Sequence, residues 1–311
     1  MCTPSLSVDF MIDLRRLHVL RAVAHYGTVT AAARALHFTP SAASQQIRQL
    51  ARDLDVDLLE PQGRGVKLTP AAESLLAHAD AIQARWDQAE RDLRADHGAP
   101  AGGLRVTGFP VAVSVLLAPM AARLGERHPR LSVRITEAVV PQSFDLLFEG
   151  AADLAVVEST PLNPPLGDTR FDQQPLLDDP FDLVVPAAHP LAGRERIGLA
   201  EAAREPWIAP VPESPCRPHV MAACGAAGFA PDVVHHAHDW NVIAHLVAHG
   251  MGVALIPRLA RLAPDLPITR VRCTGDPHRR LLTCTRGGGH TRPAVAEALR
   301  ELRELARTAV A

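Results

Sequence analysis

The stretch TPSAASQQIRQLARDL, residues 39–54, decides how the first part of this chain folds. Pro40 suits the first turn of a helix, where its fixed φ helps and its missing amide hydrogen costs nothing. Thr39 is a good N-cap residue, because its hydroxyl can accept a free amide of that turn. Ile47 and Leu50 then recur at helical spacing, which indicates a helix with one face turned to a core.

Two more helices are predicted before this stretch and a hairpin after it. Apolar spacing, caps and glycine turns predict a helix up to Gly27, a second helix over 29–36 with Thr28 or Thr30 as its cap, and short strands over 56–60 and 66–68. Three short helices and a hairpin, with a tight turn between the second and third helices, predict a winged helix-turn-helix over 12–69.

The side of the third helix that faces away from this core is polar. Glutamine can bond adenine through two hydrogen bonds, and arginine can do the same to guanine or hold a phosphate. Serine and threonine near a helix start suit phosphate, beside the free backbone amides. The candidate DNA-binding residues are Thr28, Thr39, Ser41, Ser44, Gln45, Arg48, and, at the hairpin tip, Arg64 and Lys67. An alanine-rich three-helix unit without such a role would also expose Ser, Gln and Arg.

The net charge supports the DNA-binding interpretation only when it is counted locally. The 311 residues carry a formal charge of −2, which by itself argues against a nucleic-acid partner. Residues 12–52, however, hold six arginines and one aspartate, a local charge of +5. A mean over several domains therefore hides a basic first domain.

A long helix is predicted over 70–97, with an apolar seam in alternating steps of four and three residues. Such a heptad seam needs a partner helix, which lies either in the same chain or in a second copy. No other segment has a matching seam, so we expect a homodimeric coiled coil. Its dimerisation residues would be Leu75, Ala79, Ile82, Trp86, Ala89 and Leu93.

The remainder of the chain is predicted to be an α/β domain. Residues 98–103 read GAPAGG, which predicts a hinge. Strand and helix patterns alternate over 104–311, as is typical of doubly wound α/β folds with ligands at the carboxyl ends of the strands. No apolar run reaches the ~18–20 residues that span a bilayer.

The first residues and the cysteines bear on export and redox state. The first residues carry no basic, apolar leader, so residues 1–11 are expected to be a disordered tail. Five scattered cysteines favour reduced thiols and a cytoplasmic location. Neither a cofactor nor a metal site is predicted, since the histidines around His235 and His236 fall on opposite faces of a strand.

The run LRRLHVLRAVAHYGTVTAAARALHFTPSAASQQIRQLARDLDVDLLEPQGRGVKLTPAAESLL, residues 14–76, resembles the amino terminus of LysR-type transcriptional regulators. The resemblance extends along the linker helix and the α/β region to the end of the chain. It implies a winged-helix DNA-binding domain, a dimerising linker helix, and a two-lobed effector domain like periplasmic binding proteins. It also implies tetramers on promoter DNA and contact with RNA polymerase. Pro61 and Ala72 depart from the family's usual Arg and Gly.

The resemblance also implies an effector cleft between two lobes, with lobe I formed by 104–178 and 267–311 and lobe II by 181–263. Many family members have hydroxyl residues where this chain has Phe109 and Val111. We therefore expect a bulkier or more apolar effector, or a partly filled cleft. The candidate effector-binding residues are Phe109, Pro110, Val111, Ser214, Asp239, Trp240 and Asn241, each of which could equally be a cap or packing residue.

Two alternatives remain open on the sequence. Cys216 and Cys224 are placed much as in the peroxide-sensing branch of the same family, although about 12 Å apart if both lie on one helix. The other alternative is a solute-binding or enzymatic α/β protein that does not bind DNA. No GxSxG, GxGxxG or Walker motif supports an enzyme, so no catalytic residue is predicted.

Overall fold

The computed structural model describes residues 14–36, 38–62, 65–79, 82, 100–168 and 170–309. The chain divides into two compact units, Met1–Asp92 and Leu93–Ala311. Within the described residues, no helix is both long enough and apolar enough to cross a membrane. The expected tail over 1–11 lies outside the described residues.

The first unit is the expected winged helix-turn-helix. Its elements are α1 (Leu14–Tyr26), α2 (Val29–Ala35), α3 (Pro40–Leu54), the antiparallel hairpin of β1 (Leu59–Gln62) and β2 (Gly65–Leu68), and α4 over residues 70–79. The Oγ1 atoms of Thr28, Thr39 and Thr69 accept the amides of the residues three positions later, at 3.1–3.2 Å. Each of these caps satisfies an otherwise free helix amide, which is why the helices begin there.

The core of this unit extends into the start of the long helix. Leu20, Ile47 and Leu58 are buried at its centre. Ala72 and Ala79 of α4 belong to the same cluster, together with Leu76. The first turns of α4 therefore close the hydrophobic core of the unit that precedes them.

Lobe I of the second unit is a sheet covered by helices on its faces. Its strands run in the order β4 (Leu131–Glu137), β3 (Gly102–Gly108), β5 (Leu154–Glu158), β12 (His278–Arg286) and the first half of β6 (Phe171–Pro186); β4, β3 and β5 are parallel. The helices are α5, which combines Pro110–Ala112, a π turn at Val113–Leu117 and Ala118–Arg127, then α6 (Gln142–Phe148) and α9 (Pro293–Ala309).

Lobe II is built on the second half of β6, which continues from one lobe into the other. This half of β6 pairs on one side with β10 (Ala254–Pro257) and on the other with β11 (Ile268–Cys273), beyond which lies β7 (Arg196–Ile197). The parallel pair β8 (Pro206–Pro210) and β9 (Asp232–Ala237) and the helices α7 (Arg217–Ala226) and α8 (Trp240–Ala248) complete it.

Two predicted boundaries are wrong. Residues 267–273 were expected in lobe I, but β11 pairs with lobe II strands, and Val271 and Cys273 are buried in the lobe II core. The chain thus returns to lobe I only between Cys273 and His278. Gly102 and Gly103 of the hinge expected over 98–103 instead pair with β4 as the first residues of β3, and residues 98–99 lie outside the described residues.

Candidate nucleic-acid interface and effector cleft

The third helix presents the polar face that the sequence predicts. Ser41, Gln45 and Arg48 are exposed and Ser44 is half-buried, while Ala43, Ile47 and Leu50 on the opposite face are buried. One side of the helix packs in the core of its unit, and the other side carries the exposed polar residues. This is the geometry in which a recognition helix reads base edges.

The two threonines predicted at this interface act as helix caps. Besides accepting the Ala42 amide, the Thr39 hydroxyl lies 3.0 Å from the Ser41 hydroxyl. Thr28 caps α2 in the same way. Both hydroxyls therefore lie beside helix amides, and that of Thr39 also lies beside a second hydroxyl, an arrangement that suits phosphate.

The hairpin and the third helix add two observations to the predicted set. Lys67 is exposed, with its ammonium 3.8 Å from Glu60, whereas Arg64 lies outside the described residues. Arg52 was missed as a DNA-binding candidate: it is exposed one turn beyond Arg48 on the same face and bonds Gln49. Its spacing of four from Arg48 was the signal that could have found it.

The predicted dimerisation residues differ in their burial. Ala79 is only 6% exposed and packs in the core of its own unit, with Leu75 half-buried against the same cluster. The structure thus gives Ala79 a partner inside its own chain, in contrast to the expected place facing a second copy. Ile82 is 48% exposed. Trp86, Ala89 and Leu93 lie outside the described residues.

The lobe I residues expected at the mouth of the cleft are apolar, and side chains of both lobes pack there. Phe109 precedes α5 without a side-chain cap and is buried, while Pro110 is exposed. Val111 packs against the hydrophobic clusters of both lobes, and Leu259 from lobe II packs in the lobe I core. The two lobes are therefore in direct apolar contact at this end of the cleft.

A buried polar cluster centred on Arg279 joins the lobes beside this contact. The Arg279 side chain is 1% exposed, and its guanidinium lies 4.9 Å from the centroid of the Phe109 ring. It donates to Asp179 at 3.0 Å, to Glu158 at 3.3 Å and to the Cys216 sulfur at 3.1 Å. Because these partners come from lobe I, from the crossing strand β6 and from lobe II, the cluster fastens the two lobes together.

Glu158, at the carboxyl end of β5, links further groups of lobe II to this cluster. The Cys216 thiol donates to Glu158 Oε2 at 3.2 Å, and His219 Nε2 lies 3.0 Å from Glu158 Oε1. On the crossing strand, Asp179 accepts the Leu259 amide at 2.9 Å. Every charge in the cluster therefore has a partner, as buried charges require.

Burial raises the pKa of two groups in the cluster, and hydrogen bonds and charges lower that of a third. Burial raises the pKa of the Cys216 thiol to about 12, despite the nearby Arg279 charge. It also raises the pKa of Asp179. For Glu158, burial is outweighed by the His219 hydrogen bond and the Arg279 charge, so the pKa stays below its usual value. At neutral pH Cys216 is thus a neutral donor and Glu158 an ionised acceptor.

The predicted lobe II residues hold their own loops and helices. Ser214 accepts the Cys216 amide at 3.3 Å, and Asp239 caps α8 by accepting the Asn241 and Val242 amides. Trp240 is half-buried against lobe II clusters, and Asn241 is exposed. The residues that meet in the cluster were missed as effector-site candidates: Glu158, Asp179, Cys216, His219 and Arg279. The run DDPFD, residues 178–182, was the available signal, since so many carboxylates in an apolar strand need buried cations.

Two other features of the described residues concern metal binding and the cysteines. They contain no group of three or more His, Cys, Asp or Glu side chains that could hold a metal ion. The four cysteines in the described ranges, Cys216, Cys224, Cys273 and Cys284, are all buried free thiols.

A winged helix-turn-helix with an exposed polar reading face, joined to a two-lobed α/β domain, defines a transcription regulator that carries its own sensor domain. Residues 14–73 match the bacterial regulatory helix-turn-helix protein, lysR family, and residues 97–307 match the LysR substrate binding domain. The chain belongs to the LysR family of DNA-binding transcription regulators.

Two relatives agree with this membership, and a solved structure shares the fold. The chain is 29% identical over 268 residues to the HTH-type transcriptional regulator AlsR of Bacillus subtilis, covering 83% of this chain and 84% of AlsR. It is 32% identical over 252 residues to a probable hydrogen peroxide-inducible genes activator of Streptomyces viridosporus, covering 80% and 78%. A cysteine mutant of Corynebacterium glutamicum OxyR shares the fold, with a TM-score of 0.62, 23% identity, and 97% and 94% coverage.

Proposed function

We propose that this regulator binds operator DNA through α3, with Gln45 and Arg48 contacting bases. Ser41, Ser44, Thr28 and Thr39 would hold phosphates beside the helix amides, and Arg64 and Lys67 of the hairpin would contact the flanking backbone. The observation that carries the proposal is the capped helix α3, whose polar face is exposed while its apolar face is buried. Fluorescence anisotropy with the DNA upstream of its gene, at several salt concentrations, tests it; binding without sequence preference would refute operator recognition.

We further propose that a small molecule controls this binding by changing the contact between the lobes. The buried cluster around Arg279 supports the proposal, because its partners lie on both lobes and on the strand that joins them. A ligand that competes for any one partner shifts the balance between two lobe arrangements. In a dimer, and then in a tetramer, the helix over 70–97 would carry the change to the DNA-binding domains.

The remaining parts of the proposal follow from the DNA partner. Promoter binding implies contact with RNA polymerase and a cytoplasmic location, and it requires no cofactor. Because the relatives are transcriptional regulators, we propose a protein without enzymatic turnover. Incubation with candidate metabolites, followed by product analysis, would reveal turnover if this is incorrect.

A redox response through Cys216 is the second candidate, favoured by the contact between its sulfur and Arg279 at 3.1 Å. Two observations argue against it: burial raises the pKa of the thiol to about 12, and Cys224 lies in the lobe II core at the far end of α7. A Cys216–Cys224 disulfide would therefore need α7 to unwind. Operator binding by Cys216→Ser, with and without peroxide, separates the candidates; a peroxide response lost only in the variant would favour the redox route.

A further inference from the structure

We propose that the effector is a small organic cation, a protonated amine or guanidine, whose charged N–H group binds Glu158 in place of His219. The inference rests on the proposed control by an effector between the lobes. It assigns the chemical class of that effector.

The first argument is that Glu158 is an ionised acceptor. Its Oε2 atom accepts from the Cys216 thiol and the Arg279 guanidinium, and its Oε1 atom faces His219. An ionised carboxylate has no proton to donate, so a group that replaces His219 must itself be a donor. A charged donor forms the stronger bond, whereas a carboxylate effector would be repelled at the same position.

The second argument is access. The His219 side chain is 26% exposed, whereas those of Arg279 and Cys216 are buried, at 1% and 5%. His219 is therefore the partner of Glu158 that a ligand arriving from solvent meets first. If its ring turns outward, Glu158 Oε1 loses its 3.0 Å partner and keeps the longer 3.5 Å contact with the Cys216 sulfur, while the contacts of Oε2 with Arg279 and Cys216 stay in place.

The last argument is the aromatic lining. Phe109 already faces one cation, since the Arg279 guanidinium lies over its ring. Phe181 lies beside His219, with ring centroids 6.4 Å apart and planes tilted by 30°. A ligand in the place of the His219 ring would thus have the Phe181 ring nearby, which suits an alkylammonium or alkylguanidinium stem.

Thermal-shift titration of the full-length protein tests the class of effector with matched probes. Butylammonium and butylguanidinium should raise the melting temperature, while butanol and butyrate of the same length should not, because a ligand stabilises only the state it binds. Glu158→Gln keeps the shape of the side chain but loses its charge, and should weaken cation binding by about tenfold or more. The exposed Glu304→Gln is the matched control and should bind as the wild type does.

His219→Ala supplies a test with the opposite sign. Removing the group that the cation must displace should strengthen cation binding, whereas a merely structural role for the cluster would weaken it. Equal stabilisation by butyrate, unchanged binding by Glu158→Gln, or weaker binding by His219→Ala would each overturn the inference. Anisotropy of the wild type on operator DNA is measured separately. Operator binding without a cation response refutes only the effector class, whereas a wild type that does not bind the operator refutes the proposed function.

Discussion

Replacing Arg279 with methionine tests whether the buried cluster holds the effector domain together. Methionine preserves much of the length and the apolar contact with Phe109 but removes the buried guanidinium that bonds both Glu158 and Asp179. Breaking a buried ion pair in this way costs about 3–5 kcal/mol, because the remaining charges stay buried without compensation. In a domain of this size each kcal/mol lowers the melting temperature by about 2–4 °C, so a decrease of roughly 6–20 °C is expected.

The neighbouring arginine is the control for this variant. Arg280 pairs with Asp178 at 2.8 Å, but both side chains are about half exposed, at 54% and 46%. Arg280→Met should therefore cost less than about 1 kcal/mol. Differential scanning calorimetry of both variants measures the difference. If Arg279→Met unfolds at the same temperature as Arg280→Met, the cluster does not stabilise the domain and the argument built on it is refuted.

Three further variants test other parts of the structure. Gly252→Ala should lower the melting temperature, because at φ 146° a Cβ atom would collide with a backbone carbonyl of β8. Gly225→Ala, in an open helical position, is its control and should be neutral or stabilising by up to about 1 kcal/mol. Hydrogen bonds from Arg300 above all, and from His128 and Arg127, lower the pKa of Glu297 to about 2. The ionised carboxylate therefore stabilises the folded state, and this contribution is lost as the pH falls from about 4.5 towards 2. The melting temperature of Glu297→Gln should accordingly depend less on pH in that range. Gln45→Ala should reduce discrimination between operator variants by about 1–3 kcal/mol in competition anisotropy, and equal loss on all sequences, or the same change in Gln46→Ala, would contradict base reading by Gln45.

The helices and strands of the first unit could be predicted because they depend on residues close together in the sequence. Thr28 and Thr39 cap helices through bonds that span three residues, and the buried face of α3 follows from a spacing of three and four. The polar face, the hairpin and the local charge of +5 were likewise legible without a structure. Their consequence, a DNA-binding regulator of the LysR family, agrees with the family matches.

The composition of the effector cleft could not be predicted in the same way. The absence of hydroxyls at Phe109 and Val111 indicated a bulkier or more apolar effector or a partly filled cleft, but not that Arg279, 170 residues away, lies over the Phe109 ring. The lobe that receives β11 also depended on which edge of β6 was free, and spacing along the chain does not specify this.

The sequence by itself determined the helices, their caps and the reading face, because these depend on neighbours within one or two helical turns. Only the tertiary structure decided which distant charges meet. Glu158, Cys216 and Arg279 come from three separate segments and become partners because the two crossings between the lobes bring them to one buried place. Desolvation then makes their pairing obligatory, and that requirement arises only in the folded chain.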